Sequence, residues 1–224
     1  MLHNETSGEM VRYGLSPAER ARTQKLWRER IVPSVRLQPL VLALREATLP
    51  AQVARAVTLY GLAALGTQAG SLAVLDESGR RLEVVATCGL SDSLVSDWTR
   101  FRVDAAIPVA AAVRRREPVI IESLVEGLST YPALGSAYTE LGNVATVAVP
   151  LVVGEYALGA IWGAYAWSRT FTEADHALMR LLSRYCGQAL ARAFPHPAGG
   201  AQVLPARPSP PVARLAEGPA GRES

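Results

Sequence analysis

The stretch Val144-Ala-Thr-Val-Ala-Val-Pro-Leu-Val-Val-Gly-Glu-Tyr-Ala-Leu-Gly-Ala-Ile-Trp-Gly-Ala-Tyr-Ala-Trp167 decides how this chain folds. Glu155 is its only charge, and the run is long enough to cross a bilayer as a helix. Its punctuation argues otherwise. Pro150 and the Gly154-Glu155 pair interrupt it, valines crowd its first half, and Gly154-Glu155 separates two arms of roughly ten residues each. Gly-X between two β-prone arms is a hairpin signal, so the reading is a buried hairpin and not a membrane span. Two registers are open. If Gly154-Glu155 is a two-residue turn, Val147 faces Trp162; if Tyr156 joins the turn, Ala148 faces it.

Downstream, Thr172-Glu173-Ala174-Asp175 is a capping box for a long helix with Leu178, Leu181, Leu182, Tyr185 and Ala189 on one stripe. Upstream, Pro118-Val119-Ile120-Ile121 reads as a short strand, Ile107 to Arg116 as a helix ending in three arginines, and Asp92 to Thr99 as a short helix. Glu126 to Leu141 has only a weak helical signal. Earlier still, Ser71 to Leu75 and Arg81 to Thr87 are strands around a turn at Asp76–Arg80 that contains Gly79. Leu40, Val41 and Leu44 have helical spacing, and Thr48 with Pro50 opens a helix carrying Val53, Val57, Tyr60 and Ala64. Ser16-Pro17-Ala18-Glu19 caps a further helix, over about 16–32, with Leu26, Trp27 and Ile31. Consecutive hairpins mean an antiparallel sheet, and helices gathered at both chain ends pack on one face of it. The expected class is α+β, with a sheet of about five to six strands.

Composition sets the limits. The 224 residues include 23 Lys+Arg and 20 Asp+Glu, a formal +3, with 49% apolar and 19% charged residues, which is globular and excludes a disordered chain. Residues 1–36 carry seven cations and four acids, and 195–224 three and two; the remaining thirteen and fourteen leave 37–194 at −1. A near-neutral body argues against nucleic-acid binding. Seven of the fifteen prolines fall between Pro195 and Ser224, so that tail is expected to be disordered. The expected division is an extension over 1–36, one domain over 37–194 and the tail over 195–224. Met1 to Arg30 has no apolar signal core. Cys88 and Cys186 make no disulfide framework and no zinc spacing, which points to a reducing, cytoplasmic setting.

From about Leu37 to Phe194 the chain resembles a GAF domain. The resemblance is carried by the opening helices Leu40 to Ala64, by Ala69-Gly-Ser-Leu-Ala-Val-Leu-Asp76, by Arg116-Glu-Pro-Val-Ile-Ile121, and above all by the Val147–Ile161 hairpin followed by Phe171-Thr-Glu-Ala-Asp175. It implies a regulatory sensory domain whose terminal helices back one sheet face. A ligand pocket would lie on the other face, under the connections between Asp92 and Leu141. The resemblance also limits the chemistry. There is no Asn-Lys pair of the cyclic-nucleotide-binding type, and His176 stands where that type has glutamate. Ala164 and Tyr165 occupy the positions of the chromophore histidines in bilin-binding relatives, so neither a covalent bilin nor haem is expected. Sulfoxide-reductase relatives use pocket cysteines, whereas Cys88 ends a strand and Cys186 lies in the last helix.

The candidate ligand-binding residues are Trp98, Phe101, Asp104, Ile107, Tyr131, Tyr138, Thr146, Ala148 and Trp162, which fall in the segments that wall the pocket in this family. Aromatics with Asp104 and Thr146 as polar partners suit a small flat ligand, or else they fill the cavity themselves. Analogy with bilin-binding relatives favours the register that turns Thr146, Ala148 and Trp162 toward the pocket. Arg114-Arg115-Arg116 suits the dipole at a helix C-terminus more than a phosphate. His176 reads as a surface residue, and no residue is assigned to catalysis or to a metal.

The expected function is a stand-alone, non-enzymatic sensory module that signals through a partner protein, such as a histidine kinase, or through self-association. The Leu178–Ala193 stripe and the 16–32 helix suggest a homodimer through the terminal helices. The alternatives are an enzyme in the same pocket, such as a degenerate methionine-sulfoxide reductase, or a dimerising scaffold derived from a kinase input domain.

Overall fold

A computed structural model describes residues 33–135, 138, 142 and 145–193. The predicted 16–32 helix and the 195–224 tail lie outside these residues. The chain opens with α1 (Pro33–Arg36) and α2 (Gln38–Glu46), then α3 (Pro50–Ala56), a π-helical turn (Val57–Gly61) and α4 (Leu62–Leu65). The α3 start is held by the Gln52 side-chain oxygen, which accepts from the backbone N–H groups of Thr48 and Leu49 at 3.0 and 3.1 Å. Strands β1 (Ala69–Leu75) and β2 (Arg81–Cys88) follow, then α5 (Asp92–Asp97), β3 (Arg100–Arg102), α6 (Pro108–Arg115), β4 (Val119–Ile121) and α7 (Leu124–Thr130). A 3₁₀ turn at Pro132–Leu134 precedes the hairpin β5 (Ala145–Val153) and β6 (Tyr156–Tyr165), and α8 (Glu173–Ala193) closes the fold.

The six strands form one antiparallel sheet in the order β3-β2-β1-β6-β5-β4. The class is α+β, as expected. The 144–167 stretch forms the hairpin, and the two open registers are resolved by combining them. Gly154 and Glu155 alone make the turn, with Gly154 at φ +57, where a side chain would be strained. A bulge between Leu151 and Val152 then shifts the ladder by one, so Ala148, not Val147, pairs with Trp162. The shift matters because one residue of slip exchanges the two faces of the strand.

Each sheet face has its own core. On one face α2, α3, α4 and α8 bury Leu40, Leu44, Val53, Leu62, Leu178, Leu182 and Leu190 against Leu72, Val147, Val149, Leu151 and Ile161. Helix α8 lies directly on β5: a Cβ at Gly187 would come within 2.5 Å of the Val152 carbonyl oxygen. The capping box is formed, with the Thr172 N–H and hydroxyl donating to Asp175 Oδ2 at 2.9 Å and the Asp175 N–H donating to the Thr172 hydroxyl at 3.3 Å.

On the other face α6 covers Ala73, Ala148 and Ala160 with its own Ala110, Ala111 and Ala112. Alanine against alanine brings the helix close to the strands. Past α6 only short elements cover the sheet. Among the described residues, no helix is long and apolar enough to cross a membrane.

Candidate ligand site

The gap left beside α6 is a cavity of about 80 Å³, partly open to solvent. Its floor is the sheet, through Ser71 on β1, Val84 and Thr87 on β2, and Trp162 on β6. Ser71 pairs with both Thr87 and Trp162, so these three stand side by side across neighbouring strands. One wall is the β2–α6 connection, through Leu90, Val95, Trp98, Phe101 and Ile107. Pro108 and Val109 contribute the start of α6, and Leu134 and Tyr138 close the remaining side. Trp98 and Phe101 meet edge to face, with centroids 6.5 Å apart. Among the described residues, no charged side chain, cysteine or histidine belongs to this lining.

Of the nine candidate residues, Trp98, Phe101, Ile107, Tyr138 and Trp162 are brought together here. Four are not in the lining. Asp104 is held outside by Arg102, whose Nε and Nη2 donate to its two carboxylate oxygens at 2.7 and 2.6 Å. The guanidinium also keeps that carboxyl below the usual carboxylate range. A local ion pair two residues away displaces the pocket role that the sequence suggested. Tyr131 and Ala148 are buried in the core under α6, because the space above them is filled by the helix. Thr146 is fully buried on β5, paired with Ile121 and Ala164.

Thr146 is nevertheless unusual. Its hydroxyl and that of Tyr138 are buried close to each other, and neither has any other hydrogen-bond partner among the described residues. Burial pushes the Tyr138 phenol up, while the nearby Thr146 hydroxyl works the other way. Tyr138 rests on α7: a Cβ at Gly127 would stand 3.0 Å from its ring Cζ and its hydroxyl.

The other chemistry-bearing side chains are engaged elsewhere. Arg114 donates through Nη1 to the Val103 carbonyl and, at 3.1 Å, to the Ala105 carbonyl, which pins the loop leading into α6. Arg116 donates to the Glu155 carbonyl at 2.9 Å. Cys186 is fully buried on the sheet-facing side of α8, and burial pushes its thiol up; Cys88 is exposed at the end of β2, next to the cavity residue Thr87. His176 sits in the first turn of α8, half-buried. Ser71, Val84, Thr87, Leu90, Val95, Pro108, Val109 and Leu134 complete the lining without having been candidates. Only the alternation of β1 and β2 signalled any of them, and a bulge between Leu72 and Ala73 obscures it.

Residues 47–191 match the family profile of the GAF domain. With the sheet order and the layering described above, that match settles the class: the chain belongs to the GAF domain family, a ligand-sensing regulatory fold. Three solved structures illustrate the likeness. The GAF domain of a phosphoenolpyruvate-protein phosphotransferase from Coxiella burnetii is 21% identical, with a TM-score of 0.57, over 71% of this chain and 93% of that one. A domain of a putative two-component sensor histidine kinase from Sinorhizobium meliloti 1021 is 20% identical, with a TM-score of 0.53, over 65% and 93%. Free methionine-R-sulfoxide reductase from Neisseria meningitidis, solved with its substrate, is 14% identical, with a TM-score of 0.56, over 72% and 91%. At these identities the likeness is one of fold. Comparison with curated proteins gives no match.

Proposed function

We propose that this GAF domain is a non-enzymatic sensory module that binds a small neutral molecule in the cavity beside α6. The observation that carries this reading is the lining itself: its thirteen described residues are aromatic and aliphatic with two small hydroxyls and one phenol, and none is charged. An ion buried there would have no partner, which is costly, so the occupant is neutral. Among the described lining residues no nucleophile is paired with a base, and an acyl- or group-transfer step needs such a pair. Free thiols at Cys88 and Cys186 fit a reducing cytoplasm.

Output passes through a partner protein, of which a sensor kinase is one kind, or through self-association. For the second route the terminal helices offer exposed apolar side chains, Val35, Leu42 and Tyr185, although most of the α8 stripe is already buried on the sheet. A homodimer through these helices is the proposed assembly. Sedimentation equilibrium at tens of micromolar is expected to give twice the chain mass, and a monomer mass rejects it.

Native mass spectrometry of the purified protein tests the cavity, with a non-covalent neutral adduct expected. The rival reading is a reductase like the Neisseria enzyme, and it makes a different prediction. Turnover of free methionine sulfoxide with a thiol reductant, abolished by Cys88→Ser, would establish the enzyme and end the sensory proposal.

A further inference from the structure

The hydroxyl groups around the cavity are not spread evenly. Tyr138 contributes its ring, but its hydroxyl is buried against Thr146 and leaves no surface for a ligand. The other two hydroxyls of the lining, Ser71 on β1 and Thr87 on β2, are directly opposite each other in the register. Opposite side chains of an antiparallel pair share a face, with Cβ atoms about 5 Å apart. Ala73, two residues along β1, packs into the core under α6, so Ser71 points to the same side. Val85 is the extra residue of the β2 bulge, which puts Val84 and Thr87 on one face although they are three apart. Thr87 is exposed and Ser71 only 9% exposed, so the pair makes a polar strip running from the opening inward.

Ser71 is the informative member. A buried hydroxyl commonly bonds a carbonyl of its own segment, as Thr58 does with the Ala54 carbonyl at 2.7 Å. The Ser71 hydroxyl has no such partner among the described residues, and it is not sealed off as the Tyr138 and Thr146 hydroxyls are. Buried polar groups are almost always hydrogen-bonded, so a nine-tenths-buried hydroxyl facing a cavity marks where a polar ligand atom belongs. Away from this strip the walls are aromatic and aliphatic, through Trp98, Phe101, Ile107, Val109 and Leu134. A closed apolar cavity of about 150 Å³ holds benzene. At about 80 Å³ and partly open, this one encloses part of a ring or a short alkyl group and leaves the rest of its occupant at the opening.

Given the sensory reading above, we infer that the cavity takes a small neutral molecule with its apolar end between Trp98, Phe101 and Ile107 and one uncharged polar atom against Ser71. Ser71 is then the specificity-determining residue. Thr87 matters less, because water at the opening competes for any bond it makes. Charge is disfavoured for a separate reason. A carboxylate could accept from Ser71, but the described lining holds no cation to offset its burial.

Benzyl alcohol is the probe, ethylbenzene its isostere with a methyl in place of the hydroxyl, and benzoate the charged control. Each is titrated at pH 7 into the full chain and into Ser71→Ala. Binding is read by tryptophan fluorescence, to which Trp98 and Trp162 contribute, and by the thermal midpoint. Ser71→Ala is expected to weaken benzyl alcohol about five- to tenfold, the worth of one ordinary hydrogen bond, and to leave ethylbenzene unchanged or tighter. Its ligand-free midpoint should barely move, since no bond within the protein is lost. Thr87→Val is expected to weaken benzyl alcohol less than Ser71→Ala does, and benzoate is expected not to bind.

Equal losses for benzyl alcohol and ethylbenzene in Ser71→Ala, or no loss for benzyl alcohol, overturn the inference and leave the sensory reading standing. Benzoate bound as tightly as benzyl alcohol overturns the neutrality on which both rest. Failure of every probe overturns the inference, and with no adduct in native mass spectrometry it overturns the sensory reading as well.

Discussion

The two faces of the sheet are built from different material. The helical face is closed by long, continuous packing: α8 runs 21 residues, and its Leu178, Leu182 and Leu190 meet large side chains on β1, β5 and β6. The cavity face is closed by α6, eight residues with alanines against alanines, and then by pieces of three to seven residues. Large-on-large packing fills space. Small-on-small packing draws a helix down onto the strands and leaves space beyond its first turn. The cavity is therefore a consequence of where α6 begins, and the thickness of the sheet separates it from the large-residue core.

Truncation on each face tests that separation with the largest expected effect. Leu182→Ala removes a fully buried side chain from the helical face and is expected to cost about 2–5 kcal/mol. Trp98→Ala removes a larger side chain from a partly open wall. It is expected to cost about 1 kcal/mol or less, because there is little packed structure to leave a hole in, while abolishing binding of a ring-sized probe. Denaturant midpoints of the two variants check this. Equal losses would mean that the wall is part of the core, and the comparison would fail.

How much of this was legible follows from the same contrast. The helical face is periodic over long segments, so α8 and both arms of the hairpin stand where sequence spacing put them; the helix from Pro50 does too, except that the π-helical turn at Val57–Gly61 leaves Tyr60, expected on its apolar face, exposed. The cavity face is short and local. β3, only three residues, has no period to read, and α7 begins at Ser123 through a box in which Ser123 accepts from the Glu126 N–H and Glu126 accepts from the Glu122 N–H. Asp104 reads as a pocket acid until Arg102 takes it. The facing of Trp162 depends on a bulge whose extra residue no residue type announces. Trp98, Phe101 and Tyr138 reach the cavity because aromatic residues in short segments have few other places to be buried, whereas Trp162 is brought there by its strand and Ile107 by the start of α6. The floor residues Ser71, Thr87 and Val84 required the register.

Where the faces join, the effect should be intermediate. The Arg169 N–H donates to the Glu122 carbonyl at 3.2 Å, and the Phe171 N–H donates to the Glu122 side chain at 3.0 Å, tying the end of β4 to the segment before α8. The Arg169 guanidinium lies 4.7 and 4.4 Å from the Tyr165 and Phe171 ring centroids and 2.9 Å from the Asp175 carboxylate. Burial alone would raise the Asp175 pKa, but the Thr172 amide and hydroxyl, with Arg169, outweigh it and hold the carboxyl below its ordinary value. A carboxyl depressed on folding stabilises above its unfolded pKa, near 4, and that contribution is lost as pH falls through the folded value. Stability is therefore expected to decline below pH about 4. Asp175→Asn should cost about 1 kcal/mol at pH 7 and flatten part of that decline. Because the cavity lies across the sheet, ligand binding there should not change. A variant with an unaltered acid profile would remove Asp175 from this role.

The smallest effect is expected at Arg116, which couples α6 to the hairpin turn. Arg116 ends α6 with φ +59, a left-handed conformation that favours glycine, and its N–H donates to the Ala112 carbonyl at 2.8 Å. The side chain recovers part of that strain by donating to the Glu155 carbonyl. Its ion pair with the Glu155 carboxylate, 3.5 Å away, adds little because Glu155 is almost fully exposed. Arg116→Gly relieves a backbone cost of about 1 kcal/mol and forfeits a hydrogen bond of about the same size. The net change should stay within about 0.5 kcal/mol. Arg116→Ala forfeits the bond and keeps the strain, so it should fall about 1 kcal/mol below the glycine variant. If glycine is instead the worse of the two, the contact to the hairpin turn outweighs the backbone, and α6 is held to its face by that arginine rather than by alanine packing alone.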